Sequence, residues 1–214
     1  IGQGLGAGQR DAMNLTWKLA AVLDGRADDR LLDSYQTERA PHVLRSVVAA
    51  TAIGRAMSVE PGPGRAAVDA VLRGLGGAPG AATIGPRLIY PRVGRGGLPA
   101  RERIRRGSGR LGALFPQFVL CSGPDGEMVV GSDDVLGLGP VLVHDGRFTD
   151  ELADHADVVG ARRVAVGEFG PAAHQLTEWL RSGHHNAVLV RPDRVIAAVE
   201  STSGRVTAFR TCAF

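Results

Sequence analysis

Residues 2–20 have the sequence GQGLGAGQRDAMNLTWKLA, a glycine-rich run that leads directly into a helical pattern. Glycine occupies every second position from Gly2 to Gly8, which removes side chains and lets a flat ligand approach the backbone. From about Gln9 onward, apolar residues recur at the spacing of one helical face, and Gly25 supplies a stop. The stretch therefore predicts a loop of exposed amides at a helix N-terminus. Such an arrangement favours negative charge, because free N–H groups and the helix dipole both point at the ligand.

The sequence that follows predicts a second helix and then a region with little regular structure. This helix is expected to start near residues 28–30 and to continue to Met57, with a bend or restart at Pro41. Residues 58–110 are rich in Gly, Pro and Arg, and they contain one candidate helix at 66–75. We expect the rest of that stretch to be a linker or a segment that covers another part of the protein.

Residues 111–214 alternate between strand and helix patterns. A hairpin is expected first, with strands at 118–121 and 128–130 and a turn between them. The next elements are predicted as strands at 140–144, 163–166, 186–190 and 195–199, with helices at 149–158 and 172–181. The order strand–helix–strand–helix–strand–strand indicates an α/β sandwich and is compatible with a thioredoxin-like fold.

Composition and charge exclude several classes of protein. The net charge is +3 and the arginines are scattered, while the dense basic stretch 101–110 has no interleaved aromatic residues, which argues against nucleic-acid binding. No apolar run approaches the roughly 20 residues that a membrane-spanning helix needs. Cys121 and Cys212 have neither a disulfide pattern nor a metal-ligand spacing. We therefore expect a protein of the reducing cytoplasm, with no nucleic-acid partner, no membrane segment and no metal site.

The glycine-rich opening allows two other interpretations. Gly2-x-Gly4-x-x-Ala7 formally matches the dinucleotide-binding fingerprint, but that fingerprint requires a strand directly before it, and only Ile1 precedes Gly2. The run could also be a helix lead-in that binds nothing. A longer match decides against both.

Residues 2–20 resemble the second FAD-contacting motif of the class A flavoprotein monooxygenases. In that family a GQG-x-N-x-G loop precedes a helix with the pattern D-A-x-N-L-x-W-K-L. Residues 31–39, LLDSYQTER, resemble the family's L-L-D-x-Y-x-x-E-R segment. Further similar segments are GALFPQ at 112–117, DDVLG at 133–137, and WL, AVLV and RPDR within 179–194. The combination most resembles 3-(3-hydroxyphenyl)propionate hydroxylases and related polyketide-tailoring hydroxylases.

This resemblance implies an α/β protein in three parts: the helical tail of an FAD-binding domain at 1–57, a covering segment at 58–110 and a thioredoxin-like domain at 111–214. It implies FAD as cofactor, NADH or NADPH as reductant, O2 as co-substrate and a small phenolic or aromatic substrate. The flavin would lie against the backbone of Gly2, Gln3, Gly4, Leu5, Gly6 and Ala7. The helix dipole would then favour the anionic reduced ring.

The sequence departs from the family in two respects. Gly6 stands where the family has Asn, so the loop lacks the side chain that would fix it. The family's GxGxxG unit, its nicotinamide-related motif and its GD motif all lie upstream of this loop in the family, and the sequence does not contain them. We therefore expect a fragment that is inactive as a hydroxylase by itself and carries no catalytic base. The alternative is a non-catalytic, stand-alone thioredoxin-like module for binding or assembly, and a homo-oligomer is compatible with either.

The remaining conspicuous side chains are interpreted as structural. Asp11 is expected to stabilise the first turn of a helix, Trp17 and Trp179 to lie in the core, and Glu38-Arg39 to form a structural ion pair. The other residues in this class are His42 (at the surface or in helix packing), His184-His185 (no metal role) and Cys121 (buried and inert). No C-x-x-C pair is present, so redox catalysis by the thioredoxin-like region is not expected.

Overall fold

The computed structural model of the chain describes residues 3–76, 110–122 and 129–209. The first range holds three helices: α1 (Gln3–Leu23), α2 (Arg30–Met57) and α3 (Pro63–Gly76). The other two ranges, here called the α/β unit, contain β1 (Val119–Ser122), β2 (Val129–Gly131), α4 (Ser132–Leu136), β3 (Val141–His144), α5 (Asp150–Val158), β4 (Arg162–Ala165), a 3₁₀ segment (Val166–Ala172), α6 (Ala173–Ser182), β5 (His185–Val190), β6 (Ile196–Ser201) and β7 (Val206–Ala208).

Helices α1 and α2 form an antiparallel-type hairpin, here called the helix pair, through a tight connection. Gly25 takes a positive φ of 69°, and the amides of Gly25 and Arg26 bond back to carbonyls of the last turn of α1. The Asp28 carboxylate then accepts a hydrogen bond of 2.9 Å from the Arg30 amide at the start of α2. Both helices and the Gly25 stop are thus confirmed.

Helix α2 runs through Pro41 without a restart, so the expected restart is wrong. Proline removes one backbone hydrogen bond and is costly inside a helix. Glu38, Arg39 and His42, which flank Pro41, are buried against the rest of the chain. These contacts hold both sides of the proline in one helix. Helix α3 confirms the short helix expected at 66–75, with three more residues at its start.

The α/β unit contains a five-stranded sheet with the order β4-β3-β5-β6-β7. Strand β3 pairs in parallel with β4 and antiparallel with β5, and β6 and β7 continue antiparallel. Strands β1 and β2 form the expected antiparallel hairpin, although the turn predicted between them lies outside the described residues. The predicted strand–helix–strand–helix–strand–strand order is confirmed, while α4 and β7 were not predicted.

Both faces of the sheet are covered, which confirms the sandwich. One face packs Val141, Val143 and Val188 against Leu176 and Leu180 of α6. The opposite face packs its alternating residues against α5; they are Leu142, Ala187, Leu189 and Ala198, with Leu152 and Ala156 from the helix. Strands covered on both sides are apolar at successive positions, as the last four residues of β5, 187–190, are.

Candidate functional site

The predicted flavin residues that the structure describes form the first turns of α1 and not a loop, so the loop prediction is wrong for residues 3–8. Gly2 lies outside the described residues, and Gln3, Gly4, Leu5, Gly6 and Ala7 are helical. The helix therefore begins six residues earlier than Gln9. No other part of the described chain comes within 4 Å of a Cβ position on Gly4, Gly6 or Gly8. A backbone without neighbours satisfies its polar groups by bonding to itself, which a helix achieves.

This geometry reduces the number of free amides in the predicted set. The described part of α1 starts at Gln3, and the amides of its first turn, those of Gln3, Gly4 and Leu5, have no intrahelical acceptor among the described residues. The amides of Gly6 and Ala7 are used within the helix. The charge-favouring helix N-terminus remains, but it lies at residues 3–5.

The three glycines of this turn serve no packing role within the described chain. Glycine costs up to about 1 kcal/mol relative to alanine in a helix. At Gly4, Gly6 and Gly8 that cost is not offset by a close approach, because nothing would contact an added Cβ. Leu5, between two of them, is 76% exposed. A bare, open backbone at a helix N-terminus offers hydrogen-bond donors and a flat approach to a planar or negatively charged ligand.

Asp11 and Arg39 tie the start of α1 to α2. The Arg39 guanidinium, only 3% exposed, lies 2.5 Å from the Asp11 carboxylate, and it also donates to the Ala7 carbonyl at 3.5 Å. Asp11 is thus an ion-pair partner across the helix pair. Glu38 and Arg39 do not pair with each other as predicted, because successive helix residues point in different directions and each finds its partner elsewhere.

Glu38 is the centre of a buried polar network that joins the helix pair to the α/β unit. Arg191, from the turn between β5 and β6, donates to both carboxylate oxygens of Glu38 at 2.8 and 2.9 Å. Lys18 donates to Glu38 at 3.1 Å, and Asn14 donates to it at 2.8 Å. Asn14 also donates to Asp193 at 2.8 Å. We call these five residues the buried polar network.

The network holds two cations and two carboxylates almost entirely out of water. Lys18 is fully buried and Arg191 is 4% exposed. Burial by itself would raise the pKa of Glu38, but the hydrogen bonds and charge of Arg191, with help from Lys18 and Asn14, lower that pKa to about 2. Burial lowers the pKa of Lys18 against the opposing effect of Glu38. The formal charges cancel, which is the condition under which buried ions are tolerated.

Two further contacts explain motif residues of the α/β unit. Arg194 has a positive φ of 65°, pairs with Asp133 at 2.5 Å and donates to the Gly137 carbonyl at 2.7 Å. The DDVLG and RPDR segments are therefore in contact with each other. Trp17 is half-buried beside the network, with its ring centroid 5.0 Å from the Arg191 guanidinium carbon, so it lies at an interface and not in the core. Trp179 packs on the core through Phe115, as expected.

Two histidines are buried and uncharged at neutral pH. His42 is 1% exposed; burial, with the positive charges of Arg39, Arg10 and Arg45, lowers its pKa to about 4. Burial, with Arg110, lowers the pKa of His185 to about 4 as well. Among the described residues, no group of three or more His, Cys, Asp and Glu could hold a metal ion. Of the two alternatives expected for His42, packing between helices is confirmed and a surface position is not. The side chain of Cys121 lies outside the part of the chain that the structure describes.

A groove of about 940 Å³, which the sequence did not predict, lies between α1 and the α/β unit. Its walls are mainly apolar, with Met13 and Trp17 on one side and Pro140 and Val158 on the other. Asp157 at its rim is already paired with Arg163 at 2.7 Å. The groove thus offers shape and apolar surface rather than acid–base chemistry. Within the ranges the structure covers, no helix is both long enough and apolar enough to cross a bilayer.

Comparisons with known proteins agree with the motifs. A family model described as "FAD binding domain" matches residues 1–50. The chain is 33% identical over 92% of its length to a 3-(3-hydroxy-phenyl)propionate/3-hydroxycinnamic acid hydroxylase of Mycobacterium sp. (strain JLS), and it covers 38% of that protein. It is 30% identical over 90% of its length to a probable NADH-specific resorcinol 4-hydroxylase of Rhodococcus jostii (strain RHA1), of which it covers 36%.

Solved structures give the same picture. The anhydrotetracycline hydroxylase OxyS from Streptomyces rimosus superposes with a TM-score of 0.61 at 26% identity, over 95% of this chain and 38% of that one. The chain therefore spans less than half the length of the relatives it matches. The similarity runs through both the helix pair and the α/β unit, so nothing favours the alternative in which the α/β unit works as a separate module.

Proposed function

We propose that the chain is part of an FAD-dependent aromatic hydroxylase, a family whose C-terminal part it matches, and that it forms the portion of such an enzyme that closes one side of the flavin site. The observation that carries the proposal is the N-terminus of α1. There, free amides, a helix dipole and three glycines with open space above them coincide in the segment that the FAD-binding family model covers.

We propose that residues Gly2 to Ala7 hold the flavin through their backbone. When bound, FAD accepts hydride from NADH or NADPH and, with O2, supplies the oxygen atom that enters a phenolic or aromatic ring. The chain's own part is to donate hydrogen bonds from Gln3, Gly4 and Leu5 and to set the positive end of α1 against the ring. Some unwinding of the first turn would add the amides of Gly6 and Ala7, and the glycines make that unwinding inexpensive.

The remaining functional expectations belong to the same proposal. The substrate is a small aromatic compound, the compartment is the cytoplasm, and the reductant is a nicotinamide. The domain limits proposed are 1–57 for the helical tail of the FAD-binding domain, 58–110 for a linker or covering segment and 111–214 for the thioredoxin-like domain. The sheet order β4-β3-β5-β6 with α5 and α6 on opposite faces supports the thioredoxin-like interpretation of the last part.

A titration followed by NMR tests the flavin site directly. Uniformly ¹⁵N-labelled chain is titrated with riboflavin 5′-phosphate, with AMP, the other half of FAD, as the control. We expect amide shifts confined to residues 2–8 with the flavin, larger after anaerobic reduction, and none there with AMP. Shifts that are absent at saturating flavin, or that cluster on the α/β unit, would contradict the proposal.

We do not expect the 214-residue chain alone to hydroxylate a substrate. No residue of the described structure supplies a catalytic base beside residues 3–7, the start of α1. The purified chain with FAD, NADH and a phenolic acid should show no substrate-stimulated oxygen uptake above a flavin-only control. Substrate-stimulated uptake that requires the chain would overturn this part of the proposal.

A further inference from the structure

The turn between β5 and β6 is held rigidly on the side of the α/β unit. The Arg191 amide donates to the Val195 carbonyl at 2.9 Å, and the Arg194 amide donates to the Arg191 carbonyl at 2.9 Å. Asp193 accepts from the Arg191 guanidinium at 3.0 and 2.5 Å. Arg194 fastens the end of the turn to Asp133. The orientation of the Arg191 guanidinium is therefore set by contacts within the α/β unit, independently of the helix pair.

The helix pair contributes a matching set of groups from both of its helices. Asn14 and Lys18 lie one turn apart on α1, and the Lys18 ammonium donates to the Asn14 side-chain oxygen at 2.9 Å. Glu38 comes from α2. Asn14 is thus fixed with its amide nitrogen toward both Glu38 and Asp193. A shift of either helix would disturb contacts of the other.

These contacts fit only one docking geometry. Arg191 binds Glu38 through two parallel hydrogen bonds, a geometry that a guanidinium and a carboxylate reach only in one plane. A slide or rotation of the helix pair would leave charged groups buried without partners. A buried ion without its partner is strongly unfavourable, whereas the intact pair adds little net stability over an apolar contact. The network therefore fixes the orientation of the helix pair on the α/β unit, and it adds little to the stability of their contact.

We propose that the buried polar network is an intramolecular latch: Arg191 and Asp193 of the α/β unit fix the orientation of α1 and α2, and so set where the N-terminus of α1 points. The latch does not depend on flavin binding at that terminus. The α/β unit thereby acts as the docking partner of the helix pair within the same chain.

The two tryptophans allow each part to be followed separately. Trp17 lies beside the latch and Trp179 lies against the core of the α/β unit, and the chain contains no other tryptophan. Trp179→Phe leaves a reporter of docking, and Trp17→Phe leaves a reporter of the α/β unit. Each is combined with Glu38→Gln, which is on the helix side and leaves every residue of the α/β unit unchanged. Urea unfolding is followed by fluorescence.

The matched control is Asp157→Asn. Asp157 and Arg163 also form a two-bond pair, at 2.7 and 2.9 Å, but both side chains are exposed. Without Glu38→Gln, the two reporters should give one midpoint. With Glu38→Gln, the urea midpoint reported by Trp17 should fall below that reported by Trp179. The equilibrium constant for undocking of the helix pair from the α/β unit should rise on the order of 100-fold or more. Asp157→Asn should leave the midpoints together.

Three results would overturn the latch. The first is separate urea midpoints for the Trp17 and Trp179 reporters when Glu38 is unchanged. The second is a pair of midpoints that Glu38→Gln does not shift, and the third is a pair that Glu38→Gln lowers equally, which would mean that the network stabilises the whole chain without controlling docking. Arg191→Met provides a second test from the other side of the interface. Its effect should be non-additive with that of Glu38→Gln, because both remove the same pair.

Discussion

At the scale of single residues, the glycines at the start of α1 are the positions where local stability and the proposed function oppose each other. We expect Gly6→Ala to stabilise the helix by up to about 1 kcal/mol and to weaken the NMR response to riboflavin 5′-phosphate, because an added methyl covers the bare backbone. Gly54→Ala is the control, since Gly54 lies within α2 and also has open space around it. It should bring a similar gain in stability with an unchanged flavin response. Equal flavin responses in both variants would contradict the role of Gly6.

His42 provides a pH-dependent prediction at the same scale. Its pKa is lowered from 6.5 to about 4 by burial and by neighbouring arginines, so between these values the unfolded chain binds more protons than the folded one. Stability is therefore full above pH 6.5 and falls as the pH drops toward 4, by up to about 1.4 kcal/mol per pH unit from this group. His42→Leu should flatten the dependence of the unfolding free energy on pH, measured with urea at pH 7 and 4.5.

The control for that measurement is His184→Asn. His184 is exposed and has a positive φ of 59°, a conformation that Asn tolerates. This variant should keep the slope of the unaltered chain. A slope in His42→Leu that equals the control would show that His42 does not titrate as its burial requires. Some slope remains in any case, because the pKa of His185 is lowered in the same direction.

At the scale of secondary-structure elements, the approach of α6 to β5 depends on one glycine. A Cβ on Gly183 would lie 2.7 Å from the Cδ2 atom of buried His185 and would also collide with Arg110. Arg110 is not free to move, because it stacks on the Trp179 ring at 3.9 Å and bonds to Ser182. We expect Gly183→Ala to cost about 1–3 kcal/mol in thermal unfolding. Gly139→Ala, in open space, should be close to neutral, and a neutral Gly183→Ala would mean that the helix end can shift.

The elements themselves were largely predictable from local patterns. Helices α2, α5 and α6 and strands β3 to β6 carry clear periodicity between turn residues, and they lie where expected. Helix α4 and strand β7 were missed because elements of five and three residues are too short to show a period. The start of α1 was misplaced because alternating glycine carries no conformational preference, so the absence of neighbours decided the outcome.

The contacts that define the site were less accessible to sequence reasoning. The network partners Glu38 and Arg191 are 153 residues apart, and no local pattern links them. One signal was present: Lys18, the only lysine of the chain, lies on the inner face of α1 one turn after Asn14. A buried charge in that position requires a carboxylate partner. The motifs led to the same family that the comparisons match, but several motif residues bind one another, as Arg194 and Asp133 do.

At the scale of the whole molecule, the helix pair exposes an apolar stripe. Leu44, Val47 and Val48 share one face of α2 and are 64%, 54% and 60% exposed. Contiguous apolar surface promotes association. We expect the chain to associate with rising concentration in analytical ultracentrifugation, and Val48→Lys to weaken this. Val119→Lys, an exposed position on β1, is the control and should not. A chain that stays monomeric throughout would contradict the expectation.

The long separation of Glu38 and Arg191 also has a consequence for synthesis of the protein. Glu38 leaves the ribosome 153 residues before Arg191, the arginine that neutralises its buried carboxylate. At translation rates of 5–20 residues per second, that interval lasts roughly 8–30 s. During this interval, Glu38 and Lys18 can form hydrogen bonds only with each other and with Asn14 among the network residues. The apolar side of α1 is not yet covered by the α/β unit. During that interval the nascent helix pair is a target for chaperones and proteases, and its protection by the α/β unit begins when the β5–β6 turn emerges.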